Sequence, residues 1–189
     1  MFYSSKIFSQ LGTISPTTAT VLVGIVNMVS TMASTFLLAY FGRKSLLWTN
    51  SFFMTVVLVA LGITYIQGLA VAEIVLVLLF ICLFEFSLGP IVWIYMSEVM
   101  TDKGVSLGTL ANWIGTIIMA VATPYLIDGI GGWLFIIFGG FCFACGLFCL
   151  FVLKETKGLS NQQVANLYSK GKNYIKDVSQ EAETLVEDE

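Results

Sequence analysis

Five long apolar stretches, each able to cross a lipid bilayer as one helix, leave this chain little choice of fold. They cover residues 16–40, 45–65, 70–96, 105–127 and 132–153, and a hydrocarbon core takes about 20 helical residues. Residues 1–15 are too short to span alone, and residues 154–189 form a polar tail. Only 11% of the 189 residues are charged and 57% are hydrophobic. Soluble domains carry about 25% charge, so this chain cannot clothe a globule for water. An all-α integral membrane protein is the expected class.

The same composition removes most soluble chemistry. The chain has no histidine, hence neither the commonest general base nor the commonest metal ligand. Nine basic residues in a chain of net charge -3 offer no electrostatic footprint for nucleic acid. Cys142, Cys145 and Cys149 share a helix face, but zinc would need a fourth ligand and a polar entry path. They read as small apolar filler, and no disulfide framework, metal or cofactor is implied. No nucleophile–base pair is visible, which disfavours a membrane enzyme.

The first apolar stretch has no basic residue just before it and runs too long for a signal-peptide core, so it is expected to span. The connections are short (Gly42-Arg43-Lys44, Gln67-Gly68, Thr101-Asp102-Lys103 and residues 128–131), which places successive helices side by side and antiparallel. Eight of the nine Lys and Arg residues follow the first, third or fifth stretch, leaving Lys6 alone on the other side. By the positive-inside rule the N-terminus lies outside and the C-terminus in the cytosol. In the tail, Ser160 and Gln163 form a capping box. Val164, Leu167 and Tyr168 give one apolar face, and Gly171 can stop the helix. From Asp177 onward there are six acidic residues and no basic one, which reads as a solvated end.

Three of the spans carry polar groups that do not suit lipid. In the first, Thr20, Gly24, Asn27 and Thr31 recur at helical spacing as one stripe facing protein or water. Asn27 both donates and accepts hydrogen bonds, which suits a hydroxyl-rich ligand; interhelical bonding would use the stripe equally well. In the third, Glu85 costs several kcal/mol at mid-membrane unless it meets a donor or a cavity. Gly89-Pro90 removes a backbone donor one turn later, so the helix can kink or unwind. Trp93, about 80° from Glu85 on a continuous helix wheel, offers an indole platform for the apolar face of a sugar ring. An interfacial belt position accounts for it as well. In the fourth, Gly104, Gly108, Asn112 and Gly115 share a stripe that permits close helix approach. Asn112-Trp113 adds a second amide and indole, and Pro124 offers another kink. At the span ends, Arg43, Lys44, Glu98 and Glu155 would form an ion-pair cluster if the ends gather; solvated surface charges worth about 0–1 kcal/mol per pair are the simpler alternative.

Taken together, these residues resemble the C-terminal half of the sugar-porter branch of the major facilitator superfamily. The resemblance rests on Gly42-Arg43-Lys44, on the P-x-x-W-x-x-x-S-E run from Pro90 to Glu98, on Asn112-Trp113 and on Glu155-Thr156-Lys157-Gly158. It extends from Met1 to about Tyr168. It implies half of a transporter bundle, with five complete transmembrane helices (16–153), the end of a sixth in residues 1–15, and a cytosolic tail (154–189). By resemblance, Asn27, Glu85, Trp93 and Asn112 contact a monosaccharide, and Arg43, Lys44, Glu98 and Glu155 form a gate. Gly89, Pro90 and Pro124 mark helix kinks, the lipid bilayer is the surroundings, and a six-helix N-terminal half is the missing partner. A non-transporting structural or interaction subunit built from a porter half is the alternative.

Several positions depart from the family pattern. Met1-Phe2-Tyr3-Ser4 begins about where the seventh helix's Q-Q-x-x-G-I-N stretch should have ended. Ala39-Tyr40 replaces D-R, Lys103 stands where R-G-[KR] is expected, and Lys154 replaces the proline before E-T-K-G. The gate network is thereby thinned. The sequence does not select a sugar, a coupling mode or a particular membrane.

Overall fold

The computed structural model describes residues 16–168, and within them every regular element is helical. The elements are α1 (Pro16–Tyr40), α2 (Arg43–Gln67), α3 (Ala70–Phe86), α4 (Ile91–Val99), α5 (Asp102–Ile130), α6 (Trp133–Phe151) and α7 (Asn161–Tyr168). Five segments are long and apolar enough to cross a membrane, with α3 and α4 together forming one of them, Ala70–Val99. These are the five spans read from hydropathy, with ends shifted by a few residues. The expected remnant in residues 1–15, Gly171 and the acidic end lie outside the described residues.

The third span is broken where Gly89-Pro90 predicts it. Residues 87–90 form turns, Ser87 leaves the helix at φ -141° and ψ -84°, and α4 restarts at Ile91. The Phe84 carbonyl collects both the Ser87 and Gly89 N–H groups, at 3.1 and 2.9 Å. Ser87 adds a hydroxyl bond to the Leu83 carbonyl at 3.1 Å, so the break is satisfied within protein. The break also resets the helical phase, so the 80° wheel relation between Glu85 and Trp93 does not hold. Pro124 has a different outcome: α5 runs through it as one helix to Ile130.

Packing corrects a second expectation. Short connections do not make all successive helices neighbours: α2 lies against α6 and α3, while α1 packs on α3 rather than along α2. A two-residue link fixes only the adjoining ends of two helices. Which helices then lie closest depends on side-chain size, and small residues draw α2 and α6 together. Gly132, the N-cap residue of α6, and Gly139 and Gly146 on the helix, seven apart in sequence, meet Gly62, Thr55 and Ser51 of α2. Backbones can approach only where side chains are this small. One apolar cluster joins Val23, Leu58, Leu61, Val77, Ile81 and Phe135, and a second joins Leu46, Leu47, Ile91 and Cys149. α5 buries none of its residues. Its close contacts are at the α4 end, where a Cβ on Gly104 or Gly108 would meet Met100 or Met96 at 3.2 and 3.1 Å.

Candidate functional site

The polar stripe of α1 and the acid of α3 come together at mid-span. Asn27 Nδ2 donates to Glu85 Oε1 at 2.8 Å, and Thr31 Oγ1 lies 2.9 Å from Glu85 Oε2. Thr31 is one turn from Asn27, so both side chains project from one face of α1. Beside Thr31 in the chain, Ser30 donates to Cys82 Sγ at 3.3 Å, one turn before Glu85 on α3. Glu85 itself is only 8% exposed. The helix break makes room for its carboxyl group, because a Cβ on Gly89 would stand 3.2 Å from Oε2. Both oxygens are thus paired, which offsets the cost of placing an acid among apolar helices.

Trp93 and Asn112 are placed differently. Trp93 follows the break on α4 and is 40% exposed, while Asn112 and the neighbouring Trp113 are exposed on α5. Asn27 and Glu85 are therefore joined directly, whereas Trp93 and Asn112 present open surfaces on two other helices. Gly115, the last member of the α5 stripe, has open space where a side chain would go.

A second cluster gathers at the end of the bundle that holds Arg43, Glu98 and Glu155. The Glu155 carboxyl group sits on the first turn of α2, accepting the Arg43 N–H on Oε1 at 2.8 Å and the Lys44 N–H on Oε2 at 3.1 Å. The N-cap residue Gly42 supplies no side chain for this purpose, so an acid distant in sequence fills the role. Oε1 also accepts the N–H groups of Thr156 and Lys157 at 3.2 and 3.1 Å. Arg43 Nη2 pairs with Glu98 Oε1 at 3.0 Å, and Thr156, itself buried, donates to Glu98 Oε2 at 2.6 Å. Lys44 enters this cluster through its backbone N–H. Lys157 Nζ caps the C-terminal end of α1 at the Tyr40 carbonyl, 2.8 Å away, where a cation is favoured. Arg43 Nε is buried with no acceptor among the described residues.

The tail is stitched to the same end. Ser160 and Gln163 form the reciprocal capping box, with the Ser160 N–H donating to Gln163 Oε1 at 2.9 Å and the Gln163 N–H to Ser160 Oγ at 3.4 Å. Val164 is buried. Tyr95 donates to the Lys154 carbonyl at 2.8 Å, its hydroxyl lies 2.7 Å from that of Tyr168, and Lys154 Nζ donates to the Leu167 carbonyl at 2.6 Å. Sequence reasoning missed Gly42, Tyr95 and Thr156 as members of this cluster. Gly42, Thr156 and the third-span run containing Tyr95 were all visible as motif letters, but nothing local says what each one touches.

Residues 1–168 match the family model described as Sugar (and other) transporter. The chain is 31% identical over 202 residues to the silkworm (Bombyx mori) facilitated trehalose transporter Tret1, covering 98% of this chain and 39% of that one. It is 29% identical over 178 residues to mouse (Mus musculus) solute carrier family 2, facilitated glucose transporter member 2, covering 89% of this chain and 34% of that one. In fold it is similar to the proton:xylose symporter XylE bound to 6-bromo-6-deoxy-D-glucose, with a TM-score of 0.78 at 24% identity over 89% of this chain and 38% of that chain. The chain thus spans between a third and two-fifths of the length of these proteins.

Proposed function

The chain belongs to the sugar transporter family, and on that premise we propose that it forms the C-terminal portion of a monosaccharide transporter working by alternating access. Relatives of this kind are multi-pass membrane proteins, and its five membrane-length helices fit that setting. In such transporters two helical halves rock about a site near the bilayer midplane, formed where helices are interrupted. The observation that carries the reading is the Asn27–Thr31–Glu85 cluster beside the broken third span. An acid kept at mid-membrane is a functional group by default, and here it is held rigidly next to non-helical backbone. Asn27, Glu85, Trp93 and Asn112 bind the sugar, the first two as a fixed polar pair and the others from surfaces that a further half would cover. Arg43, Lys44, Glu98 and Glu155 form the gate at the cytosolic end, which sets the N-terminus outside. Gly89-Pro90 is the joint that lets α4 move relative to α3.

Uptake of labelled glucose in a hexose-uptake-deficient cell tests the reading. The 189-residue chain expressed alone is expected to stay at background. Joined behind the first six helices and the beginning of the seventh from the silkworm relative, it is expected to restore uptake. Glu85→Leu in the joined protein should lower that uptake by roughly a hundredfold, through loss of charge-assisted bonds worth about 1.5–3 kcal/mol each. Uptake by the isolated chain well above background would refute the half-transporter argument. A joined protein indifferent to Glu85→Leu would refute the site.

A further inference from the structure

Thr31 Oγ1 lies 2.9 Å from two acceptors, Glu85 Oε2 and the backbone carbonyl of Asn27, but a hydroxyl has one hydrogen to give. The Asn27 carbonyl already accepts the Thr31 N–H by the helical i→i−4 pattern. The Glu85 oxygen has no such second donor from its own helix, and an unpaired buried carboxyl oxygen costs more than a carbonyl that keeps one bond. The hydroxyl is therefore best used on Glu85. Asn27 holds the other oxygen at 2.8 Å, and Gly89 leaves room for the group where a Cβ would stand 3.2 Å from Oε2. Two donors on separate oxygens fix the plane of a carboxyl group, where one donor would leave it free to turn.

We propose that Thr31 is a positioning residue of the sugar site: its hydroxyl, together with the Asn27 amide, locks the Glu85 carboxyl plane so that the group meets a sugar hydroxyl in one orientation. The inference rests on the sugar-site reading for its ligand, but not for its geometry. Thr31→Val keeps the branched shape and removes the donor; Thr31→Ser keeps the donor and removes a methyl group. A merely space-filling role would make serine the more damaging change, and a positioning role makes valine so.

The test is an infrared difference spectrum of the purified full chain, with Glu85→Gln subtracted to isolate the Glu85 carboxyl band, and Glu85→Leu as the subtrahend if the glutamine variant does not fold. The band is expected to move in Thr31→Val and to stay near its native position in Thr31→Ser. An unmoved band in Thr31→Val, or an equal movement in both variants, overturns the proposal. In the joined transporter, Thr31→Val should raise KM for glucose about tenfold, the loss of one hydrogen bond to a polar ligand-binding group, with kcat changed less than threefold and Thr31→Ser close to native. A Thr31→Val KM within twofold of native also overturns it. Should the band move as expected while the joined protein takes up no glucose in any form, the positioning claim stands and the sugar reading fails.

Discussion

Alanine in place of Gly42 is expected to cost the fold about 3 kcal/mol, a midpoint drop of roughly 6–10 °C for a chain of this size. The Cβ would fall inside the Glu155 carboxyl group, which could not then stay on the Arg43 and Lys44 N–H groups. Bonds to an acidic group contribute about 1.5–3 kcal/mol each, and loss of a helix cap costs about 1. Glu155→Ala removes the same contact from the other side and should cost a similar amount. The diagnostic is the double variant. Because both changes break one interaction, Gly42→Ala with Glu155→Ala should cost little more than either alone. Midpoints measured from the monomeric peak of heated, detergent-solubilised protein decide it: simple additivity of the two drops would show that Gly42 and Glu155 act separately.

That contact marks where sequence reading stops. The spans were legible because hydropathy over some 20 residues is a local property, and the break at 87–90 because proline acts on its own turn. The capping box at Ser160 and Gln163 was legible for the same reason, since its members are three residues apart. Glu155 was visible as a charge at a span end, a member of an ion-pair cluster with Arg43, Lys44 and Glu98 if those ends gather. It takes the backbone N–H groups of Arg43 and Lys44, leaving the Arg43 guanidinium to Glu98. Charge pattern predicts attraction but cannot distinguish a side-chain cation from a helix N-terminus, because both are positive.

The proposed sugar site was legible in half. The stripe containing Asn27 and Thr31 and the acid at Glu85 each violate lipid solubility, so each demanded a partner, and they satisfy one another. Trp93 and Asn112 could not be placed this way. An indole tolerates an interface as readily as a binding pocket, and α5, which carries Asn112, buries no residue against the other described helices. The α1–α3 pairing escaped notice because helix order in the chain was taken as helix order in space. The small residues that decide that order sit on α2 and α6, where periodicity seven among glycines in an apolar run is easily read as filler.

Those glycines carry the second large expectation. A Cβ on Gly132 would stand 2.6 Å from the Gly62 carbonyl oxygen and 2.8 Å from Ile66 Cγ1, and a Cβ on Gly62 would stand 2.7 Å from Ile136 Cγ1 and 2.8 Å from the Gly132 carbonyl oxygen. In each case one of the obstacles is backbone, which cannot rotate away as a side-chain end can. Gly132→Ala and Gly62→Ala must therefore push α2 and α6 apart, and overpacking of this kind costs about 1–3 kcal/mol. Further cost follows because separation at one contact loosens the close approach at Gly139 and Gly146 farther along α6. Gly140 supplies the control. It lies on α6, exposed, with nothing within 4 Å of a Cβ, so Gly140→Ala meets no obstacle and gains up to about 1 kcal/mol of helix propensity. Thermal midpoints should thus fall by several degrees for the first two variants and hold or rise for the third. Equal midpoints across all three would mean that α2 and α6 do not meet through Gly62 and Gly132, and the central pairing of the bundle would have to be redrawn.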